Sequence, residues 1–392
     1  MRAHQAANYP RETVNRSIPE VREAHSTGGA RMRAMSHGPA GNEVRVVRYG
    51  NGVNGTVERS IRPGLVSRTF VGGGHVLYSR VYQQQVWHQF GRAFTYETFV
   101  PAVRYPAVYY SWALGPWPRP LIYTWGWQAQ PWYPAYGILF TPYPVYTSPD
   151  LWMTDYVIAR SLQTAYQAQT PAPVVEPQPP QAPPPPAADD GALAPPVPPV
   201  DSSPPPSEVA PAPPAGDAPA APTAAPPAIT PRIKAQLNEQ IKVQLREQQA
   251  AAATPATLTD QNTPPALRPN HVFFEVVHPL EVPADTAKGF CSLSTNDYIK
   301  RVGGMSEDDW KVPVVVELSG PSDCPQGLRT RIGLNDLNAM ENEQEARVME
   351  AMQAASPSLG PNGPPRGAHP TLIADGSAAP DPMALDAIRQ AR

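Results

Sequence analysis

Cys291 and Cys324 are the only two cysteines in a chain of 392 residues. A catalytic thiol needs a paired histidine or an electropositive helix N-terminus beside it, and the sequence offers neither. In an oxidising compartment the pair reads as a disulfide that closes a loop of roughly 32 residues, a constraint of ~3–4 kcal/mol. Of the eight histidines, His75 and His88 fall in one strand-rich region and His271 and His278 near a later strand. None has the HxH, HExxH or CxxC spacing of a metal site. Gly50-Asn51-Gly52-Val53-Asn54-Gly55 spells a GxGxxG run. Phosphate binding by that run requires a strand before it and a long helix after it. Here a short strand-like run follows and ends at Pro63, so the stretch reads as a hairpin turn. Glu341, Glu343, Glu345 and Glu350 spread around the last long helix as a solvated face, and no acid pair suits glycoside chemistry. No catalytic residue, metal ligand or cofactor is therefore assigned.

What remains is ring chemistry. Tyr105 to Tyr156 holds six of the eight tryptophans and sixteen aromatic residues. Trp112, Trp117, Trp125, Trp127 and Trp132 could stack on sugar rings, on arginine or on proline-rich peptide. The same rings could equally form a wrapping layer over a small core, because so much apolar area is costly in water. Pro106, Pro116, Pro118, Pro120, Pro131, Pro134, Pro142 and Pro144 break every helical or strand period between them.

The elements around this segment define a multi-part chain. Residues 1–42 are polar, arginine-rich and aperiodic, and are expected to be disordered. Residues 43–104 carry short runs rich in β-branched and aromatic residues: Thr56–Ile61, Val66–Val71, His75–Tyr82, Val86–Phe90 and Ala93–Val100. Turn formers separate them, with Gln83–Gln85 taken as one such break, and together they predict an antiparallel β-meander. Ser148-Pro149-Asp150 signals a helix start. The helix over 149–169 is expected to dock its apolar stripe on the aromatic segment. Residues 171–230, with 23 prolines and no basic residue, predict a disordered polyproline-type spacer. Thr230-Pro231 opens an amphipathic helix over 231–252, whose seam is Ile233, Leu237, Ile241 and Leu245. Residues 266–355 predict a small α+β domain, an SH3- or OB-like barrel plus a helix, and 356–392 a disordered tail.

Net charge is −3, but residues 1–104 carry 14 arginines against 6 glutamates and the first lysine is Lys234. On the second helix Glu239 and Glu247 balance the basic residues, so a nucleic-acid partner is not expected. No run of 18 apolar residues marks a membrane span, and residues 1–20 lack the apolar core of a signal peptide.

Tyr123-Thr124-Trp125-Gly126-Trp127, Pro131-Trp132-Tyr133, Phe140-Thr141-Pro142-Tyr143-Pro144-Val145-Tyr146 and Leu151-Trp152-Met153-Thr154-Asp155-Tyr156 resemble a group of uncharacterised bacterial Tyr/Trp/Pro-rich envelope proteins. The resemblance covers most of residues 45–355, including the proline-rich spacer, the Thr-Pro helix start and the two-cysteine C-terminal domain. It implies export and carries no functional residues. The first expectation is thus a non-enzymatic protein of the periplasm or cell envelope. Its aromatic module binds or packs on cell-wall or surface polysaccharide, or on another envelope protein, and the spacer holds the C-terminal domain at a distance. A cytoplasmic scaffold with reduced cysteines is the alternative, and an enzyme of unrecognised type the third.

Overall fold

Alternating β-branched and aromatic residues from Val44 to Val100 place one side chain in two on each face of a pleated strand. In the computed structural model, which describes residues 24–25, 31–36, 43–49, 54–170, 227–253, 263–284, 289–321 and 323–390, they build a curled antiparallel sheet of seven strands. These are β1 (Ala24–His25), β2 (Arg31–Ser36), β3 (Glu43–Tyr49), β4 (Asn54–Arg62), β5 (Leu65–Gly72), β6 (His75–Gln89) and β7 (Arg92–Val100), each paired with the next in sequence. β3 and β4 pair as far as Tyr49 and Asn54; residues 50–53, on which the hairpin-turn reading of the glycine-rich run rests, lie outside the described residues. β1 and β2 extend the sheet into a region expected to be disordered; the rest of 1–42 lies outside the described residues. Gln83–Gln85 is not a turn. β6 runs through it as one strand of 15 residues, with Gln84 opposite Glu97 and Gln85 opposite Tyr96 on β7. Glutamine lacks the positive-φ tolerance of a turn former, and the ladder on both sides holds it extended.

β7 is an edge strand, and open edges invite foreign strands. A side-chain amide closes this one. Asn342 accepts from Phe99 N at 3.0 Å and donates to Glu97 O at 2.9 Å. Asn342 lies on α5 (Leu334–Ser358), the long C-terminal helix, which thereby crosses the N-terminal sheet.

The aromatic segment folds as α1 (Ala107–Leu114), α2 (Tyr133–Tyr136) and extended chain between and after them. α3 (Pro149–Gln169) starts on Ser148 with Pro149 in its first turn and Asp150 behind it. α4 (Pro231–Ala253) starts at Thr230, whose Oγ1 accepts from Ile233 N at 3.3 Å. The rings share one core with α3, α4 and α5: Trp117, Trp125, Trp132, Tyr109, Tyr146, Trp152, Ile158, Ile233, Leu237, Ile241, Leu245, Val348 and Met352 are all buried in it. Trp152 of α3 stacks on Trp125 at 5.0 Å between centroids. The aromatic layer therefore packs the helices rather than the interior of the meander. Gly73 (φ +60°) lets the β5–β6 turn meet the C-terminus of α3, since a Cβ there would stand 2.4 Å from Thr170 O.

The spacer does not hold the C-terminal part at a distance. Ile229, beyond the proline-rich stretch, is buried in the same core as α3, and its N donates to Leu139 O. Residues 171–226, on which the spacer reading rests, lie outside the described residues. Lys234 then inserts between layers, 2.6 Å from Asp155 Oδ1 and 2.8 Å from Thr141 O, with its ammonium 3.5 Å from the centre of the Tyr143 ring.

The C-terminal strands are β9 (Phe273–Glu275), β10 (Leu280–Pro283), β11 (Phe290–Leu293), β12 (Tyr298–Arg301), β13 (Lys311–Leu318) and β14 (Arg329–Gly333). Among the described residues they form a four-stranded sheet, β14-β13-β12-β9, and a separate β10-β11 hairpin. Cys291 on β11 and Cys324 before β14 stand in disulfide contact, Cα to Cα 5.2 Å. Trp87 and Phe94 of the first sheet pack against this second core, and Trp310 stacks on Phe94 at 5.2 Å. α5 is pinned between the halves by Arg347, which reaches Glu275 of β9 at 2.7 Å and Glu343 at 3.2 Å, while Arg80 of β6 reaches Glu350 at 2.6 Å.

The tail is folded, contrary to the expectation for 356–392. β15 (Thr371–Leu372) pairs with β8 (Val103–Arg104). α6 (Ala384–Gln390) buries Ala384 and Ile388 against Val44, Val46, Val57 and Val71. Asp381 pairs with Arg59 through its carboxylate, and its backbone N donates to Thr69 Oγ1 at 3.0 Å. Seven residues of helix are too few to announce themselves by periodicity; their stability comes from the sheet they cover.

Candidate functional site

α4 and α5 both reach the start of β9, and there polar side chains of the two helices meet. Glu247 near the end of α4, His271 just before β9, and Glu341 and Glu345 one turn apart on α5 converge there. His271 is held from both sides: Nδ1 lies 2.7 Å from Glu341 and Nε2 2.8 Å from Glu247. Arg268 reaches Glu247 at 2.7 Å. Gln244 donates to Glu341 at 2.8 Å and Gln248 to Glu345 at 3.2 Å. These residues line a cleft of about 780 Å³, whose remaining wall includes Ala250, Ala251, Leu267 and Phe99.

The electrostatics settle what the cleft can do. Burial works against a charge on His271, but the Glu341 carboxylate and the bonds to both glutamates outweigh it and hold the imidazole at about 10. It is an imidazolium at neutral pH, with both nitrogens spent on carboxylates, and cannot serve as a general base there. Burial raises Glu247, yet its bonds to His271 and Arg268 leave it below its ordinary value. Glu345 goes the other way: burial and then the nearby Glu341 push it up to about 7. The cleft thus holds a fixed ion-pair cluster and one carboxyl poised near neutrality.

Glu341 is 2% exposed and Gln244 3%. Glu341 Oε2, Gln244 Oε1 and Gln248 Oε1 are buried without a hydrogen-bond partner among the described residues. Gln244 turns its NH₂ to a carboxylate oxygen of Glu341, an acceptor, which leaves its own amide oxygen free. Orphaned buried acceptors are uncommon and costly.

The glutamates of α5 are not a solvated face. Glu341 and Glu343 are buried and Glu345 and Glu350 half-buried. Their spacing sorts them: 341 and 345 face the cleft, 343 and 350 face Arg80 and Arg347. The i, i+4 and i, i+7 intervals carried that signal; the partners, tens to hundreds of residues away, did not. His271 was visible but its two glutamates were not assignable to it.

Three of the five ring candidates are placed otherwise than a ligand platform needs. Trp117, Trp125 and Trp132 are buried. Trp125 lies stacked between Trp127 (4.0 Å) and Trp152 (5.0 Å), and its Nε1 donates to Tyr146. Trp112 and Trp127 keep partial exposure, and Trp112 donates to Asn362 O at 3.1 Å. Among the described residues no group of three His, Cys, Asp or Glu side chains is arranged to hold a metal ion, and no helix is long and apolar enough to cross a membrane. In comparisons with known proteins the chain matches no family model, no curated protein and no solved structure.

Proposed function

We propose that the protein is a non-enzymatic binding protein of the bacterial cell envelope, which holds its ligand in the cleft between α4 and α5. One observation carries the reading: the cleft pairs its imidazole into a fixed cluster, yet three acceptors on its lining side chains Glu341, Gln244 and Gln248 are buried and unmet. Such a site is built to bind, and its histidine is spent. The disulfide contact of Cys291 and Cys324 fits an oxidising compartment, and so does the resemblance to exported proteins. Within this reading the aromatic segment is internal packing, and the C-terminal strands, an incomplete barrel of the SH3 or OB kind, frame His271. Polysaccharide or another envelope protein remains the partner class, met at the cleft rather than on the tryptophans.

The test is equilibrium dialysis of the oxidised full chain against a soluble envelope extract, read by mass spectrometry, beside Ala251→Trp, which fills the cleft. A species retained by the parent and lost by the variant is expected. Identical retention by both overturns the reading.

A further inference from the structure

The orphaned atoms on the cleft floor are all acceptors: Glu341 Oε2, Gln244 Oε1 and Gln248 Oε1. The cations of the cleft are turned to its own carboxylates: His271 gives both nitrogens to Glu341 and Glu247, and Arg268 Nη1 reaches Glu247. From this geometry we infer that the cleft binds a compact organic cation with several N–H donors, a primary ammonium or guanidinium group. The inference rests on the reading of the cleft as the ligand site. The head group sits between Glu341 Oε2 and Gln244 Oε1 with Glu345 beside it, and an aliphatic stem lies along Ala250, Ala251 and Leu267.

Charge supports the same choice. Three carboxylates line the cleft against two cations, and the third, Glu345, forms no ion pair among the described residues. It faces Glu341 on its own helix, Gln248 on α4, Arg268 and His271 at the entry to β9, and Tyr110 on α1, whose own ionisation the Glu345 charge disfavours. An arriving cation is the missing partner, and it favours the ionised form. Because Glu345 titrates near 7, a site that needs it ionised binds about tenfold more tightly at pH 8 than at pH 6.

The experiment is calorimetric titration of the oxidised full chain with agmatine, pentylamine, pentanol and pentanoate at pH 6 and pH 8. A short blocked peptide carrying one arginine separates a free metabolite from a side chain of a protein partner. Agmatine and pentylamine should bind with the tenfold pH effect, and Glu345→Gln should weaken binding at least fivefold at pH 8 and abolish the pH effect. Among the described residues Glu345 forms no ion pair and accepts one bond, from Gln248, so that variant is expected to keep the fold, which a matched unfolding curve verifies. Pentanol or pentanoate binding as well as the amines overturns the ligand class, while loss of that binding in Ala251→Trp keeps the cleft as a site. Amines binding equally to parent, Glu345→Gln and Ala251→Trp overturns the location. No binding by any cation at 10 mM, on the order of the weakest useful affinity, overturns the inference, and the dialysis comparison then stands or falls separately.

Discussion

Replacing Lys234 with methionine tests whether the chain returns to the aromatic core after its proline-rich stretch. The Lys234 side chain is 8% exposed and Asp155 fully buried, 2.6 Å apart. Methionine keeps the apolar stem but removes the charge, the bond to Thr141 O and the contact over Tyr143. Asp155 keeps Tyr143 N at 2.7 Å and Tyr146 OH at 2.6 Å, but its charge is left uncompensated. Breaking a buried pair from one side costs ~3–5 kcal/mol. Burial already pushes Asp155 above its ordinary value, so the carboxyl takes up a proton in the variant, which limits the loss to the lower half of that range. The variant therefore also regains stability as pH falls, because its folded state binds a proton that the unfolded state still releases. Urea unfolding followed by tryptophan fluorescence reads this directly, since Trp125 and Trp152 lie in the same core. Lys234→Met with Asp155→Asn should recover most of the loss. A loss below ~1 kcal/mol, the scale of an exposed pair, would refute the reasoning, for it would mean that α4 is not docked here.

Three more outcomes are expected. His271 has its folded value raised to about 10, so its contribution is full below about 6.5, the ordinary histidine value, and is lost as pH rises through about 10; denaturation midpoints across that window should fall in the parent and stay flat in His271→Gln. Removing the disulfide with Cys291→Ala and Cys324→Ala should lower stability by ~3–4 kcal/mol, seen as a drop in Tm that reducing agent does not deepen. Ile388→Ala, which empties a fully buried site under α6, should cost ~2–4 kcal/mol of α6 docking, and limited proteolysis should then clip the tail while leaving the sheet intact.

The periodic elements were legible in the sequence. The meander, α3, α4 and the C-terminal helix followed from alternation, from Ser148-Pro149 and Thr230-Pro231, and from the seam Ile233, Leu237, Ile241 and Leu245, which is buried throughout. Short elements were not: β10, β11 and α6 hold 4, 4 and 7 residues and owe their form to what they lie against. The aromatic segment was recognisable as apolar area in need of cover, but proline removes the periodicity that says which way a ring points, so Trp125 and Trp132 read equally as platform or core. The cleft was the least legible part. Its glutamates sit on two helices and its histidine before a strand, and only the docking of α4 beside α5 makes them neighbours.

Hydrogen–deuterium exchange on the oxidised full chain, with and without a soluble envelope extract, measures most directly where a ligand lands. Slowed exchange is expected in the last turns of α4 and around residues 341–345. Protection confined to the surface around Trp112 and Trp127, with the cleft unchanged, would contradict it.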